Sequence, residues 1–257
     1  MSILESICKP QSRPPIMTIF GDGGLGKTSF GATFPKPIFI RAEDGLEAIP
    51  ENKRPDAFPI IKDAQEVYEQ LRALIDASGA GYKTVVIDTI TQLDILFKQA
   101  VVDKHNKTNA KKVDSINQAL GGYGAGIEAV ATMHARVRDL CGKLNDAGMC
   151  VVFLAHMDVK HIDLPDSEKF GRYVISMNDK SVHHYSNNLD LVGFLKLKTY
   201  VNEENKKARS FGERELICHS TANNLSKNRY DIEEPIDIPK GENPLLNLIK
   251  LRQKTGE

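Results

Sequence analysis

The apolar run Ile16-Met17-Thr18-Ile19-Phe20 passes without a break into Gly21-Asp22-Gly23-Gly24-Leu25-Gly26-Lys27-Thr28. That is G-x-x-x-x-G-K-[ST], the phosphate-binding loop, and it constrains the fold because it works only between a strand and a helix. The glycines let the backbone curl so that successive N–H groups converge on one anion, and Gly26 stands where a helix should begin. Lys27 is placed to reach the β- and γ-phosphates, and the Thr28 hydroxyl to meet the Mg²⁺ that accompanies a nucleoside triphosphate. The candidate nucleotide-binding set is therefore Gly21, Asp22, Gly23, Gly24, Leu25, Gly26, Lys27, Thr28 and Ser29.

A second signature lies further along, at a suitable distance. Thr84-Val85-Val86-Ile87-Asp88-Thr89 is a β-branched run ending in an aspartate, a carboxylate at a strand tip that can orient the water shell of a metal. Asp88 joins Thr28 as a candidate metal residue. Ile38-Phe39-Ile40 is a short buried strand that ends in Arg41-Ala42-Glu43-Asp44-Gly45, either a polar turn or an acidic pair beside the nucleotide. Met149-Cys150-Val151-Val152-Phe153-Leu154-Ala155 is apolar throughout, as expected for the middle of a sheet covered on both faces, and ends in His156. In a parallel sheet, His156 would share an edge with Asp88 and the loop.

Strands alternating with helices give a doubly wound, mostly parallel α/β sheet whose site lies at the carboxyl ends of its strands. Residues 1–15, with Pro10, Pro14 and Pro15, read as an N-terminal arm, and residues 16–257 as one domain. Helical periodicity covers residues 63–75, 90–103 and 127–145. Residues 104–112 are basic and aperiodic, and Gly121-Gly122-Tyr123-Gly124 comes after them. This stretch is either a solvated loop or a mobile segment offering lysines to phosphates and Tyr123 to a base. Residues 158–188 read as a long polar loop, and residues 189–197 and 214–219 as two antiparallel strands.

No apolar run is long enough to span a bilayer, and no signal-peptide pattern opens the chain, so a cytoplasmic protein without a membrane partner is expected. The four cysteines show neither zinc nor disulfide spacing. The 34 Lys and Arg balance 34 Asp and Glu, so any nucleic-acid surface must be local.

In order along the chain, the phosphate loop, Glu43 at a strand end, Asp88 with a small hydroxyl residue after it, and His156 resemble the RecA-like ATPase core. Gly122-Tyr123-Gly124 before a long helix and Phe153-Leu154-Ala155-His156 after it are similar to phage RecA-like nucleotide-binding proteins, some of which are short single-strand annealing recombinases. The resemblance implies ATP and Mg²⁺ as cofactors, Glu43 as the residue that orients the attacking water, and His156 in place of a glutamine that senses the γ-phosphate. Lys227-Asn228-Arg229 is similar to a motif whose basic residues reach the γ-phosphate of a neighbouring subunit; read without the resemblance, it is a solvated basic turn. The implied function is a DNA-stimulated ATPase that binds single-stranded DNA, forms a ring or filament, and promotes recombination or annealing, with a single-strand-binding protein as a further partner. A helicase or helicase-loading motor and a small-molecule P-loop kinase are the alternatives.

Overall fold

The computed structural model describes residues 3–8, 12–163, 168–201 and 208–254. Its elements in chain order are β1 (Ile16–Gly21), α1 (Lys27–Gly31), β2 (Pro37–Arg41), β3 (Asp56–Ala57), α2 (Glu66–Asp76), β4 (Thr84–Asp88), α3 (Ile90–Thr108) and α4 (Ala125–Asp146). After these come β5 (Cys150–Ile162), β6 (Phe170–Ile175), α5 (Asp179–Ser186), β7 (Leu191–Leu197), β8 (Tyr200–Val201), β9 (Ala208–Arg209), β10 (Arg214–Ile217), β11 (Lys227–Asn228), β12 (Ile236–Asp237) and α6 (Pro244–Lys254). No helix among the described residues is long and apolar enough to cross a membrane.

The main sheet runs β12-β10-β7-β1-β5-β4-β2-β3. Its centre is parallel, and β10, β11 and β12 close one side in antiparallel pairing. Central strands of such a sheet must be apolar on both faces. Every residue of β1 is buried, with Ile16 and Phe20 entering one core and Met17 and Ile19 the other. The first core is covered by α2, α3, α4 and α5 and the second by α1 and the C-terminal segment. The expected antiparallel pairing of the late strands is present, with Arg214 opposite Leu197.

Two stretches read as loops are structured. Residues 158–188 contain the outer half of β5, its antiparallel partner β6 and helix α5. Pairing across this hairpin supplies the order that the mixed polar composition concealed. The basic segment begins inside α3, which continues to Thr108. The chain beyond Thr108 is tied back to the helix end: the Asn106 amide exchanges two 2.8 Å hydrogen bonds with the Val113 backbone, and buried His105 accepts from the Leu120 N–H. Tyr123 at the glycine turn is fully exposed. Within the N-terminal arm, Ile3–Ser6 forms a short 3-10 helix; Pro10 lies outside the described residues.

Both structured stretches project from one edge. Gly21 pairs with His156, Arg41 with Asp88 and Asp88 with Leu154, which brings the carboxyl ends of four strands level. The hairpin β5–β6 continues outward past His156. Helix α3 leaves the tip of β4 and α4 returns antiparallel to it, with Asp94 facing His134 and His105 facing Leu120. At about 1.5 Å per residue, the end of α3 is roughly 20 Å beyond Asp94.

Candidate nucleotide site

The phosphate loop joins β1 to α1. Gly24 and Gly26 take φ of 75° and 80°, the left-handed region where a side chain is penalised, which explains glycine at both places. Helix α1 is only five residues long, so anion binding rests on the loop N–H groups and Lys27 more than on a helix dipole.

Lys27 is buried, and its ammonium donates to Gly21 O at 3.1 Å and Asp22 O at 2.8 Å. Its third donor meets His156 Nδ1 at 3.4 Å. Burial lowers its pKa, opposed by the carboxylates of Glu43, Asp88 and Asp22. Because an ammonium has no acceptor, Nδ1 must accept, and the ring proton sits on Nε2. Nε2 therefore donates to Glu43 Oε2, 3.2 Å away. That hydrogen bond holds the Glu43 carboxyl below the usual range, with burial working against it. Lys27, His156 and Glu43 form one chain of contacts across the strand tips.

The acidic pair after β2 divides. Glu43 turns to the site, while Asp44 turns outward and pairs with Arg41 at 3.2 Å. Backbone bonds fix this turn, with Ala42 N donating to Asp88 O at 2.7 Å and Glu43 N to the same oxygen at 3.2 Å.

Asp88 is fully buried, and its Oδ2 accepts from the Thr28 hydroxyl at 2.8 Å. Its Oδ1 is buried with no hydrogen-bond partner. Burial pushes the carboxyl up to about 6, against the pull of Thr28 and Lys27. An orphaned carboxylate oxygen beside a hydroxyl is the donor set a hard divalent cation takes, completing its shell with water and phosphate, so Thr28 and Asp88 fit Mg²⁺. Gly45 closes over this pair: a Cβ there would lie 2.6 Å from Thr28 Oγ1 and 3.3 Å from Asp88 Oδ2.

The predicted residues Lys27, Thr28, Glu43, Asp88 and His156 are thus gathered at one point. Lys227 and Arg229 are not. Lys227 pairs with Val192 near the start of β7, and Arg229 lies beside Asp190 at 3.4 Å, at the end of the sheet opposite the loop. Two residues, Thr91 and Arg214, carried no motif. The Thr91 hydroxyl accepts from the His156 backbone N–H at 3.2 Å and donates to the hydroxyl of Thr89 at 3.0 Å. Arg214 on β10 reaches Leu25 O of the loop at 3.2 Å. Only Thr91 stood near a signature, three residues after Asp88.

The projections carry less open positive charge than their sequence suggests. Lys160 pairs with Asp179, Lys180 with Glu128 and Lys169 with Asp163. No group of three or more His, Cys, Asp or Glu able to hold a metal occurs among the described residues.

Comparison with known proteins agrees with this geometry. The chain is 25% identical over 143 residues to the SPbeta prophage-derived uncharacterized protein YorG of Bacillus subtilis (strain 168), a match that takes in 55% of this chain and 40% of that protein. The match therefore spans well under half the length of that relative. The family model described as an AAA domain matches residues 13–230, most of the chain and every strand of the parallel core, so the protein belongs to this AAA-domain family of P-loop ATPases.

Proposed function

We propose that this protein is a Mg²⁺-dependent ATPase of RecA-like type that binds single-stranded DNA as a ring or filament and serves phage-type recombination or strand annealing. The observation that carries the reading is the contact chain from Lys27 through His156 to Glu43, set beside the Thr28–Asp88 pair.

Each residue has a separate task. The loop N–H groups and Lys27 bind the triphosphate, and Thr28 and Asp88 hold the Mg²⁺, which supplies charge neutralisation at the phosphates. Glu43, kept ionised by His156, orients the attacking water and takes its proton. Every donor of Lys27 is already engaged, so a γ-phosphate must displace one acceptor, and His156 at 3.4 Å is the longest of the three. Displacement releases His156, whose backbone carbonyl accepts from Ser176 N at 2.9 Å at the root of the β5–β6 hairpin. Nucleotide state is thereby passed to a projecting segment. The second projection ends in the exposed Tyr123, available to stack on a base, with Lys104, Lys107 and Lys111 exposed nearby. Lys227 and Arg229, lying remote from their own loop, would serve a neighbour's γ-phosphate, which makes turnover depend on assembly.

The deciding experiment is phosphate release with and without single-stranded DNA at two salt concentrations. Stimulation that weakens as salt rises supports the reading through phosphate contacts. A rate indifferent to DNA removes the DNA partner, and a phosphorylated acceptor in place of free phosphate identifies a kinase.

A further inference from the structure

On the far side of the phosphate loop from Glu43 lies a cavity of about 710 Å³. Gly24, Gly26 and Ser29 form its floor, and Tyr200, Phe211 and Arg214 are among the groups that wall it. None of Lys27, Glu43, Asp88 or His156 lines it. A triphosphate whose terminal phosphate faces Glu43 must leave the loop in this direction, past Ser29.

Arg214 is placed unusually for a cation. Among the described residues its guanidinium donates only to backbone carbonyls: Leu25 O at 3.2 Å, Ile238 O at 3.3 Å and Pro239 O at 3.2 Å. Among the described residues no carboxylate pairs with it, because the acids in the same wall are committed elsewhere. Asp237 is held by Lys198 at 2.9 Å, and Glu213 by the Tyr200 hydroxyl at 2.5 Å. The guanidinium lies 2.6 Å from where a Cβ on Gly26 would be, directly over the loop backbone. Burial lowers its pKa, as expected of a cation held by neutral acceptors. Beside it, Tyr200 and Phe211 place their ring centroids 5.7 Å apart at 55°, and Phe211 is 75% exposed. An exposed phenylalanine next to an open cavity leaves apolar ring surface to be covered by a partner.

We propose that this cavity is the nucleoside end of the site, that Tyr200 and Phe211 hold a purine ring by stacking, and that Arg214 contacts the α-phosphate of the same nucleotide in cis. The inference rests on the ATPase reading and adds a specificity to it. The Tyr200 hydroxyl and the carbonyls of Ile238 and Pro239 are already engaged, and rings 5.7 Å apart at 55° leave no gap for a base between them, so the purine is held against the pair by one face and not by the pattern of its edge. Adenine and guanine nucleotides then bind within a fewfold of each other, because every purine offers the same π-face.

The test is equilibrium titration of the full chain, with Mg²⁺, by ADP, GDP and inorganic tripolyphosphate. Phe211→Ala should weaken both nucleoside diphosphates by about tenfold and leave tripolyphosphate unchanged, while Phe211→Tyr restores binding. Arg214→Ala should weaken the diphosphates as well, and Arg214→Lys by less. Because Phe211 is exposed, its loss leaves the core intact. Phe211→Ala and Tyr200→Ala proteins that both bind ADP as wild type does would overturn this inference alone. Strong preference for one purine would overturn the stacking assignment. Wild-type protein that binds neither ADP nor tripolyphosphate would overturn the ATPase reading and this inference with it.

Discussion

Replacing His156 with alanine isolates the contact on which the catalytic reading depends. The imidazole holds Glu43 Oε2 at 3.2 Å and touches Lys27 at 3.4 Å, so its removal takes the neutral donor from Glu43 and one acceptor from Lys27. A hydrogen bond to a charged group contributes about 1.5–3 kcal/mol. The two side chains are 37% and 32% exposed, and water restores part of what is lost, which reduces the figure to about 1–2 kcal/mol. On the transition-state scale this is roughly a 5- to 30-fold fall in kcat. KM for ATP should change less than about threefold, because the loop N–H groups and Lys27 still bind the phosphates. Steady-state phosphate release over a range of ATP concentrations separates the two parameters. Glu43→Gln, which removes the proposed base, should cost about 10²–10⁴-fold. In the double variant His156→Ala should add almost nothing, since the two residues act as one unit. A His156→Ala protein with wild-type kcat, or additive losses in the double variant, would refute the chain from Lys27 to Glu43.

Lys27→Ala should abolish turnover, measured by phosphate release, because nothing else among the described residues occupies its place between Gly21 O and the approaching phosphate. Arg229→Ala should spare ATP binding yet lower turnover by about 10³-fold, the scale of an arginine supplied from a neighbour; lost binding in a nucleotide titration would contradict that assignment. Gly45→Ala should reduce Mg²⁺-dependent activity more than melting temperature, since its Cβ would press on the Thr28 hydroxyl at 2.6 Å while the cores stay untouched. Acid should destabilise the fold through His134, which is fully buried between Asp94 and Tyr185. Burial holds its folded pKa below its ordinary value of 6.5, so the unfolded chain takes up the proton first. Stability should be flat above that pH and fall as pH drops through and below 6.5. Asp94, also lowered, adds its loss only below its own ordinary value of 3.8. A His134→Gln protein should show a shallower decline in melting temperature between pH 7 and 5; parallel curves would count against the assignment.

The sequence made the parallel core legible because each central strand is an unbroken apolar run, and chain order alone placed Gly21, Asp88 and His156 at carboxyl ends. It could not show which way Glu43 and Asp44 turn, because backbone bonds to Asp88 O decide that. The β5–β6 hairpin was hidden for a related reason. Once β5 leaves the sheet at His156 its faces are no longer both buried, so Val159, Lys160 and His161 lose the apolar signature while keeping the strand. Arg214 was invisible because its role is set by a strand that comes back antiparallel to β7 before it reaches the loop.

These features share one spatial logic. The strand tip bearing His156 is also the root of the β5–β6 hairpin, and the tip bearing Asp88 is the root of α3. In the proposed cycle, a small shift at either carboxylate or imidazole would therefore act at the base of a projecting segment. The two levers are themselves joined, because Lys180 of α5, just after the hairpin, pairs with Glu128 at the start of α4. On the proposed ATPase cycle, a motion begun at the phosphates would be shared between the strand hairpin and the helical one. Surface pairs of this kind contribute little to stability, so the link can break and reform during a cycle at small cost.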